Sequence, residues 1–393
     1  MSAELVCYWL QSKRNAIICL ISLKPIEHSS RKGKPLSSRK GQAEAFFLID
    51  DKGNLWILKK FHNARNLEHK YLTKVGSLLP KHDGFTCGTQ RYVLSRGSLC
   101  KTLGCFYSKD LDYWLDGSVL MPRVAGLDWS ALAGKIRKGG IKPSELQRLT
   151  ICKNLTSLVE LLETRQCCHR DLSSGNIFID ENTWEVYLID FDSFYHPSLR
   201  MPQFTTCGTP GYTSHLACNN DKFDPGKTWC QHVDRFALAL LNAEFLLLGP
   251  RSKATEEGGI FDQDELRKQK GPGIKSVVAS LKSRYPQAAQ LLQAAIQSTS
   301  FSDCPAPKDW LSFYNTIPGL IVKPPSLSDF ADITPEQLSE KLRKYKPAVR
   351  PWPVPGVEEM TIKIKKSKTR APTKVQPLDH GIKKQKLNPN RRT

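Results

Sequence analysis

The segment that most constrains this chain is residues 169–192, which read HRDLSSGNIFIDENTWEVYLIDFD. Asp171 and Asn176 lie five positions apart, and the serines and glycine between them favour a loop over a helix or strand. Two short runs of apolar and β-branched residues follow, separated by the turn sequence DENT, and predict a two-stranded hairpin. This hairpin would return Asp190 to the loop, so three oxygen-bearing side chains are predicted to meet at one site.

Three such side chains suit phosphoryl transfer. A hard divalent cation that carries a phosphate chain takes oxygen ligands, few of them from the protein, and keeps room for the phosphates. Phosphoryl transfer also needs a carboxylate that receives the proton of the acceptor hydroxyl. The segment therefore predicts a metal-assisted phosphoryl-transfer site.

The motifs in this segment resemble those of a known family. HRDLSSGN resembles the catalytic loop H-R-D-L-x-x-x-N of protein kinases, and IDFD resembles their D-F-G. On these motifs the chain is similar to serine/threonine protein kinases of the bacterial type. The resemblance implies that Asp171 receives or orients the acceptor's proton and that Asn176 and Asp190 hold Mg²⁺.

The resemblance also implies a fold class, which is α+β. It is a bilobal protein-kinase-like fold with a small β-rich N-terminal lobe and a larger, mainly helical C-terminal lobe. We expect the kinase-like domain at residues 35–317, with the N-terminal lobe at about 35–121 and the C-terminal lobe at about 126–317. Residues 1–34 are predicted to be an N-terminal extension, and residues 318–393 a linker followed by a basic, disordered tail.

A strand–turn–strand pattern over residues 46–61 resembles the start of the kinase small lobe. Aligning WILK with the family's V-A-I-K makes Lys59 the residue that reaches the ATP phosphates. Lys60 is the alternative, since a shift of one residue reverses which side chain faces inward. A helical pattern over residues 63–79 resembles the family's C-helix, and there Glu68 is the candidate partner of Lys59.

The glycine-rich loop that covers the ATP phosphates in protein kinases is degenerate here. The pattern G-x-G-x-x-G-x-V, laid on residues 39–46, keeps only Gly41. Arg39 and Glu44 stand where the outer glycines belong, which limits how closely the backbone can approach a phosphate. The resemblance assigns Gly41 to nucleotide binding, with Arg39 and Lys40 as candidate side-chain contacts.

Residues 118–126 (SVLMPRVAG) resemble the fifth strand and the hinge between the lobes. The resemblance places Met121 at the back of the nucleotide pocket, and it brings Arg123 and Val124 to the adenine as backbone contacts. Pro122 has no N–H group, so the hinge hydrogen bonds are expected from its carbonyl and from the groups that follow.

Two helices of the C-terminal lobe are predicted around the catalytic loop. SELQ at residues 144–147 fits the S-x-x-Q capping box, and apolar residues recur behind it every three or four positions up to Leu162. HVDRFAL at residues 232–238 resembles the family's central F-helix. Its Asp234 is predicted to accept hydrogen bonds from the backbone of the catalytic loop.

GTPGY at residues 208–212 resembles the end of a kinase activation loop. Thr205 and Thr206 precede it and are candidate autophosphorylation sites. A phosphate adds about −1.5 to −2 charges. In the family, an arginine of the type of Arg170 is the residue on which such a phosphorylated loop docks.

Three departures from the kinase pattern lie in the C-terminal lobe. SHL at residues 214–216 replaces A-P-E, so the glutamate of that motif is absent, and Cys304 stands where its arginine partner is expected. Loss of both members of an ion pair leaves no stranded charge. Asp192 replaces the last glycine of D-F-G, which narrows the backbone conformations open at that position.

The net charge of the chain is +20. Residues 341–393 carry 16 lysines and arginines against three acidic residues, so an acidic or nucleic-acid partner is expected for this tail. No apolar run approaches the ~20 residues of a membrane-spanning helix, and no membrane span is expected. The N-terminal sequence lacks the order of a signal peptide, and the cysteines form no C-x-x-C pairs, so the expected location is cytoplasmic.

Together these features predict an ATP- and Mg²⁺-dependent protein kinase that phosphorylates serine or threonine hydroxyls of protein substrates, including its own chain. One departure weakens the choice of acceptor, because Ser173 stands where serine/threonine kinases have a lysine. Three alternatives stay open. They are a nucleotide-binding pseudokinase scaffold, a small-molecule kinase of the same fold, and a nucleic-acid-binding protein driven by the charge of its tail.

Overall fold

The computed structural model describes residues 6–11, 17–29, 31–40, 43–50, 52–62, 69–95, 113–202, 208–219, 222–249 and 259–320. Strands dominate these residues up to the hinge, and helices dominate after it. This order confirms the predicted α+β architecture, with a β-rich N-terminal lobe and a mainly helical C-terminal lobe. Within the described ranges, no helix combines the length and the apolar character needed to cross a membrane.

The strands of both lobes are short, and most belong to the N-terminal lobe. In chain order they are β1 Val6–Gln11, β2 Ile17–Pro25, β3 Glu27–His28, β4 Arg31–Pro35, β5 Ser37–Lys40, β6 Ala43–Asp50, β7 Leu55–Phe61, β8 Tyr92–Val93, β9 Val119–Pro122, β10 Leu127–Asp128, β11 Ile177–Ile179, β12 Val186–Leu188, β13 Cys218–Asn219 and β14 Lys222–Phe223.

The N-terminal lobe is built on one antiparallel sheet with the order β1-β2-β6-β7-β9-β8, and β5 also pairs with β6. β7 has the bounds expected from its sequence. It lies between β6 and β9, with Lys59 opposite Ala45 on one side and Val119 on the other. The sheet includes β1 and β2, which lie before residue 35. The segment predicted to be an N-terminal extension therefore contributes strands to this sheet.

The helices supply most of the C-terminal lobe. In chain order they are α1 His69–Leu78, α2 Thr86–Thr89, α3 Trp129–Arg137, α4 Glu145–Thr164, α5 Asp234–Leu247, α6 Gln263–Lys268, α7 Pro272–Arg284, α8 Pro286–Gln297 and α9 Pro307–Asn315.

The helix that leads to the catalytic loop, α4, begins with the predicted capping box. Gln147 N–H donates to Ser144 Oγ at 3.2 Å, and Ser144 N–H donates to Gln147 Oε1 at 2.7 Å. These two bonds satisfy donors that a helix N-terminus otherwise leaves free. The predicted apolar face of α4, which includes Leu155 and Leu162, is buried.

The centre of the C-terminal lobe is α5, which is apolar on nearly every side and buried along its length, as expected for a core helix. α4, α8 and α9 pack around it or around one another. α5 begins at Asp234, and this residue contacts the backbone of the catalytic loop.

The chain passes from the N-terminal to the C-terminal lobe through a glycine that no other residue could replace easily. Gly126 has φ +89°, and a Cβ atom there would lie 2.1 Å from the carbonyl oxygen of Ile179. Both the left-handed backbone and the close approach to β11 require glycine. The small sheet β10-β11-β12 then holds the hairpin predicted after the catalytic loop.

Candidate active site

The carboxylate of Asp234 accepts two hydrogen bonds from the backbone of the catalytic loop. His169 N–H donates to Asp234 Oδ2 at 2.5 Å, and Arg170 N–H donates to Oδ1 at 2.9 Å, as predicted for this residue. Arg170 has φ +67°, a left-handed conformation that costs a non-glycine residue free energy. Asp234 thus fixes both peptides next to a strained residue, and burial raises the pKa of its carboxyl.

Asp234→Asn is expected to lower the free energy of unfolding by about 3 kcal/mol, because an amide can accept only through its oxygen and leaves one buried N–H facing its NH₂ group. Urea denaturation measures the loss. Asp264→Asn is the matched control, since that side chain is 72% exposed and its substitution should change stability by less than about 0.5 kcal/mol. Equal midpoints for the two variants would contradict the role of Asp234.

The two polar residues of the loop are linked to each other and to the hairpin. Asn176 Nδ2–H donates to the carbonyl of Asp171 at 2.8 Å, and Ile189 N–H donates to the carbonyl of Asn176 at 3.0 Å. The ring Nε2 of His169 lies 2.6 Å from the Ile189 carbonyl. These bonds bring Asp190, the next residue after the hairpin, back to the loop.

Lys59 of β7 reaches the same place from the N-terminal lobe. Its Nζ lies 2.6 Å from Asp190 Oδ1 and 2.7 Å from Asp192 Oδ2. Lys60 points to the other side of the sheet, where its Nζ donates to the Asp116 carbonyl at 3.2 Å and lies over the ring of Trp114. The alternation of side chains along a strand therefore selects Lys59, and not Lys60, for the site.

The charges at this site stabilise one another. Burial opposes the charge of Lys59, but the carboxylates of Asp190 and Asp192 outweigh it and raise the pKa of the amine. Burial also opposes ionisation of Asp190, yet the charge of Lys59 holds its pKa below the ordinary value. Burial raises the pKa of Asp192, although Arg91 Nη1 lies 3.3 Å from its Oδ1. Two cations and two carboxylates thus form a neutral group.

The segment that begins at Gly208, which resembles the end of an activation loop, faces Asp171. Thr209 Oγ1–H donates to Asp171 Oδ1 at 3.2 Å. Tyr212 O–H donates to the buried carboxylate of Glu244 at 2.7 Å, and Trp129 Nε1–H donates to the same oxygen at 3.3 Å. Burial raises the pKa of Glu244 to about 7. This carboxyl therefore joins the activation segment, α3 and α5 in the core.

Arg170 makes its described side-chain contacts within the C-terminal lobe. Its guanidinium donates to the Thr228 carbonyl at 2.8 Å, to Thr228 Oγ1 at 2.7 Å and to the Ser193 carbonyl at 3.0 Å. It also lies over the ring of Trp229, 4.8 Å from the centroid. The residue is only 7% exposed, so these contacts hold its guanidinium within the C-terminal lobe.

The hinge offers fewer backbone donors than expected. Met121 pairs with Ile57 and packs, like Val124, against the main core. Arg123 N–H already donates to the Leu55 carbonyl at 3.0 Å. A contact from Arg123 to a nucleotide would therefore use its carbonyl or side chain, and that side chain lies over the ring of Phe47.

The ion pair missing from the activation segment has a counterpart elsewhere in the lobe. Arg235, the second residue of α5, pairs with Glu163 at the end of α4. The same guanidinium donates to the carbonyls of Ser302 at 2.8 Å and of Cys304 at 3.2 Å. Cys304, which stands where the family has an arginine, is a buried free cysteine. Its carbonyl instead accepts a hydrogen bond from Arg235.

The expected glycine loop has a different form. β5 and β6 pair antiparallel with Arg39 opposite Glu44 and Lys40 opposite Ala43, so residues on both sides of Gly41 belong to paired strands. Four of the predicted site residues lie outside the described residues: Gly41, Glu68, Thr205 and Thr206. The others that the resemblance placed at the catalytic centre, Lys59, Asp171, Asn176 and Asp190, are brought together.

Known proteins resemble part of this chain. The chain is 26% identical over 180 residues to the phosphorylase b kinase gamma catalytic chain, liver/testis isoform, of Rattus norvegicus; the match covers 42% of this chain and 43% of the relative. The Homo sapiens protein of the same description matches with the same identity and coverage. The chain has a bilobal, protein-kinase-like fold.

The kinase-like chain matches less than half the length of these relatives, and no protein-family model matches it. The distant similarity supports a relation to the protein kinase superfamily and a kinase-like, phosphotransferase function.

Two residues of the kinase-like site were not assigned a role from the sequence. Arg91 lies on no recognised motif, and only the fold brings it to Asp192. Thr209 lies within GTPGY, but its contact with Asp171 depends on the return of the activation segment across the loop. For Asp192 a signal was present, because a carboxylate in place of the D-F-G glycine adds a charge at the site.

Proposed function

We propose that the protein is an ATP- and Mg²⁺-dependent protein kinase that transfers the γ-phosphate to serine or threonine hydroxyls of proteins, including its own chain. The observation that carries the proposal is the meeting of Lys59 with Asp190, 2.6 Å apart, beside the loop of Asp171 and Asn176. An amine from one lobe and three oxygen-bearing groups from the other form the set that phosphoryl transfer requires.

The donor set suits Mg²⁺ and a triphosphate. The Asn176 amide nitrogen is bonded to the Asp171 carbonyl, which leaves the amide oxygen to join the Asp190 carboxylate as a hard ligand. Mg²⁺ would neutralise charge on the phosphates when bound. Lys59 would bind phosphate oxygens through its amine, as its charge and position allow.

Asp171 is the residue proposed to receive the acceptor's proton. Its Oδ1 accepts a hydrogen bond from the Thr209 hydroxyl at 3.2 Å, which supports a carboxylate able to bind a hydroxyl. A positioned base of this kind contributes about 10²–10⁴-fold to a rate. Ser173, buried two residues later, supplies no second cation for the phosphate, so Lys59 and the metal would carry that role.

A nucleotide-binding scaffold without transfer is the second candidate. The ammonium of Lys59 is shared by Asp190 and Asp192, so its charge is already balanced before a phosphate arrives. If Lys59 never leaves these two carboxylates, the protein would bind nucleotide weakly and transfer no phosphate. Transfer of label from ATP distinguishes the enzyme from the scaffold.

Lys59→Met is expected to reduce transfer from radiolabelled ATP by about 10²–10³-fold, because it removes a charge that stabilises the phosphates. Label is measured on the protein itself, on serine- and threonine-containing peptides and on small-molecule alcohols. Lys60→Met is the matched control and should transfer like the wild type, since its side chain lies on the opposite side of the sheet. Nucleotide-dependent thermal stabilisation without any transfer by the wild type would favour the scaffold.

The basic residues 341–393, outside the described residues, are proposed to bind an acidic protein or a nucleic acid through their charge. A cytoplasmic location is proposed with them. The cysteines whose side chains the structure describes are free thiols, which supports a reducing compartment.

A further inference from the structure

The carboxylate of Asp192 contacts two cations of the N-terminal lobe, one on β7 and one in the segment just before β8. Its Oδ2 lies 2.7 Å from Lys59 Nζ, and its Oδ1 lies 3.3 Å from Arg91 Nη1. The Asp192 side chain is 16% exposed and that of Arg91 is 4% exposed. Both side chains are therefore largely excluded from water. A charge that is buried in this way without a partner is unfavourable.

Arg91 extends this contact to a helix. Its Nη2–H donates to the carbonyl of Leu72 at 2.6 Å, and Leu72 is a fully buried residue of α1. A continuous path thus runs from the Lys59 amine through Asp192 and Arg91 to the backbone of α1. The path joins the phosphate-binding lysine to the helix that resembles the family's C-helix.

The turn that carries Asp192 is itself held firmly. Phe191 and Phe194, on either side of it, are almost completely buried, and the ring of Phe191 packs against those of Phe85 and His169. Tyr71 of α1 donates its hydroxyl to the Phe194 carbonyl at 2.5 Å. The position of the Asp192 carboxylate is therefore fixed by packing and by a second bond to α1.

We propose that Asp192 is the positioning residue of Lys59, and that Arg91 couples this position to α1. The inference rests on the proposed function, since it concerns the amine that would bind the ATP phosphates. Asp190 is the carboxylate proposed to bind the cation. Asp192 stays with Lys59 when Asp190 is engaged in that way, so the amine keeps one anionic partner that aims it. The residue in place of the D-F-G glycine thus takes over the work of orienting the lysine.

A double-mutant cycle between Lys59 and Asp192 tests the proposal. The variants are Asp192→Asn, Lys59→Met and the double variant, with Asp192→Glu to restore the charge and Asp264→Asn as an exposed control. Steady-state kcat and KM for ATP are measured, together with the thermal shift that Mg·ATP produces. Melting without nucleotide identifies any variant that fails to fold.

The expected result is strong non-additivity. Asp192→Asn should lower kcat/KM for ATP by about 10²-fold, because misplacement of a positioned group by about 1 Å has an effect of that size. In the Lys59→Met background the same change should have little further effect, since no amine is left to position. Asp192→Glu should recover part of the loss. Arg91→Met should weaken ATP use in the same direction.

Other results would overturn the proposal. Additive effects of Asp192→Asn and Lys59→Met would mean that Asp192 acts only on stability. Non-additivity of Lys59 with Glu68 in place of Asp192 would assign the positioning to Glu68, the partner that the family resemblance implies. If the wild type binds Mg·ATP but transfers no phosphate, the proposed kinase activity fails, and the cycle is then read from nucleotide binding alone. A wild type that does not bind nucleotide overturns both proposals.

Discussion

Asp171→Asn is expected to slow phosphoryl transfer by about 10²–10⁴-fold while the protein still binds Mg·ATP. The amide keeps the shape of the side chain and can still accept a hydrogen bond from Thr209, but it cannot receive the proton of an acceptor hydroxyl. The link from Asn176 to the Asp171 carbonyl uses the backbone and should survive. Initial rates of label transfer, with the nucleotide-induced thermal shift measured in parallel, check both parts.

The matched control for this substitution is Asp180→Asn, in the turn of the hairpin that follows the catalytic loop. Asp180 accepts hydrogen bonds from Asn182 only within that turn, so its substitution should leave the rate within a factor of about two. A full rate in Asp171→Asn would exclude Asp171 as the base. Loss of nucleotide binding in that variant would mean that the substitution disturbed the site as a whole.

The second large effect is a pH dependence of stability caused by Glu244. Burial raises the pKa of this carboxyl from an ordinary value of 4.5 to about 7 in the folded protein. Between these two values the folded state binds a proton that the unfolded state has released. The contribution of Glu244 to stability is therefore complete below pH 4.5, falls as the pH rises towards 7, and is lost above it. The loss amounts to about 3 kcal/mol.

Glu244→Gln should remove this slope, because a neutral amide stays uncharged at every pH and can still accept from Tyr212 and Trp129. The variant should be more stable than the wild type at pH 8 and should lose that advantage towards pH 5. Urea midpoints from pH 5 to 8.5 give the difference between the two proteins, in which other titrating groups cancel. The hydrogen bonds from Tyr212 and Trp129 favour the ionised form of Glu244, as do the charge of Arg137 and the backbone of Ile260, and they keep burial from raising its pKa further. Parallel curves would show that Glu244 titrates normally.

Local signals predicted much of the fold and the centre of the site. The capping box at Ser144, the strand that carries Lys59 and the hairpin before Asp190 each depend on residues near one another in sequence. The alternation of side chains along a strand is also a local signal. Which of Lys59 and Lys60 faces the site depends on how the strand pairs with its neighbours, and the sequence left that choice open. Pairing of β7 with β6 and β9 settles that choice.

Features that depend on distant pairs could not be predicted in the same way. Arg91 and Asp192 are 101 positions apart, and Arg170 meets Thr228 across 58. Neither contact leaves a periodic pattern. The pairing of β5 with β6 was obscured by fitting residues 39–46 to a glycine loop, although Arg39 lies opposite Glu44 and Lys40 opposite Ala43 in the two strands. A family motif thus carries information only where the chain keeps its residues.

The internal bonding of Arg170 has a consequence for control of the protein. A kinase-like chain whose catalytic-loop arginine already binds Thr228 and Ser193 has that side of the catalytic loop assembled as soon as it folds. The hydrogen bonds that fix this part of the loop come from the lobe's own backbone and side chains, and none of them needs a phosphate on the chain.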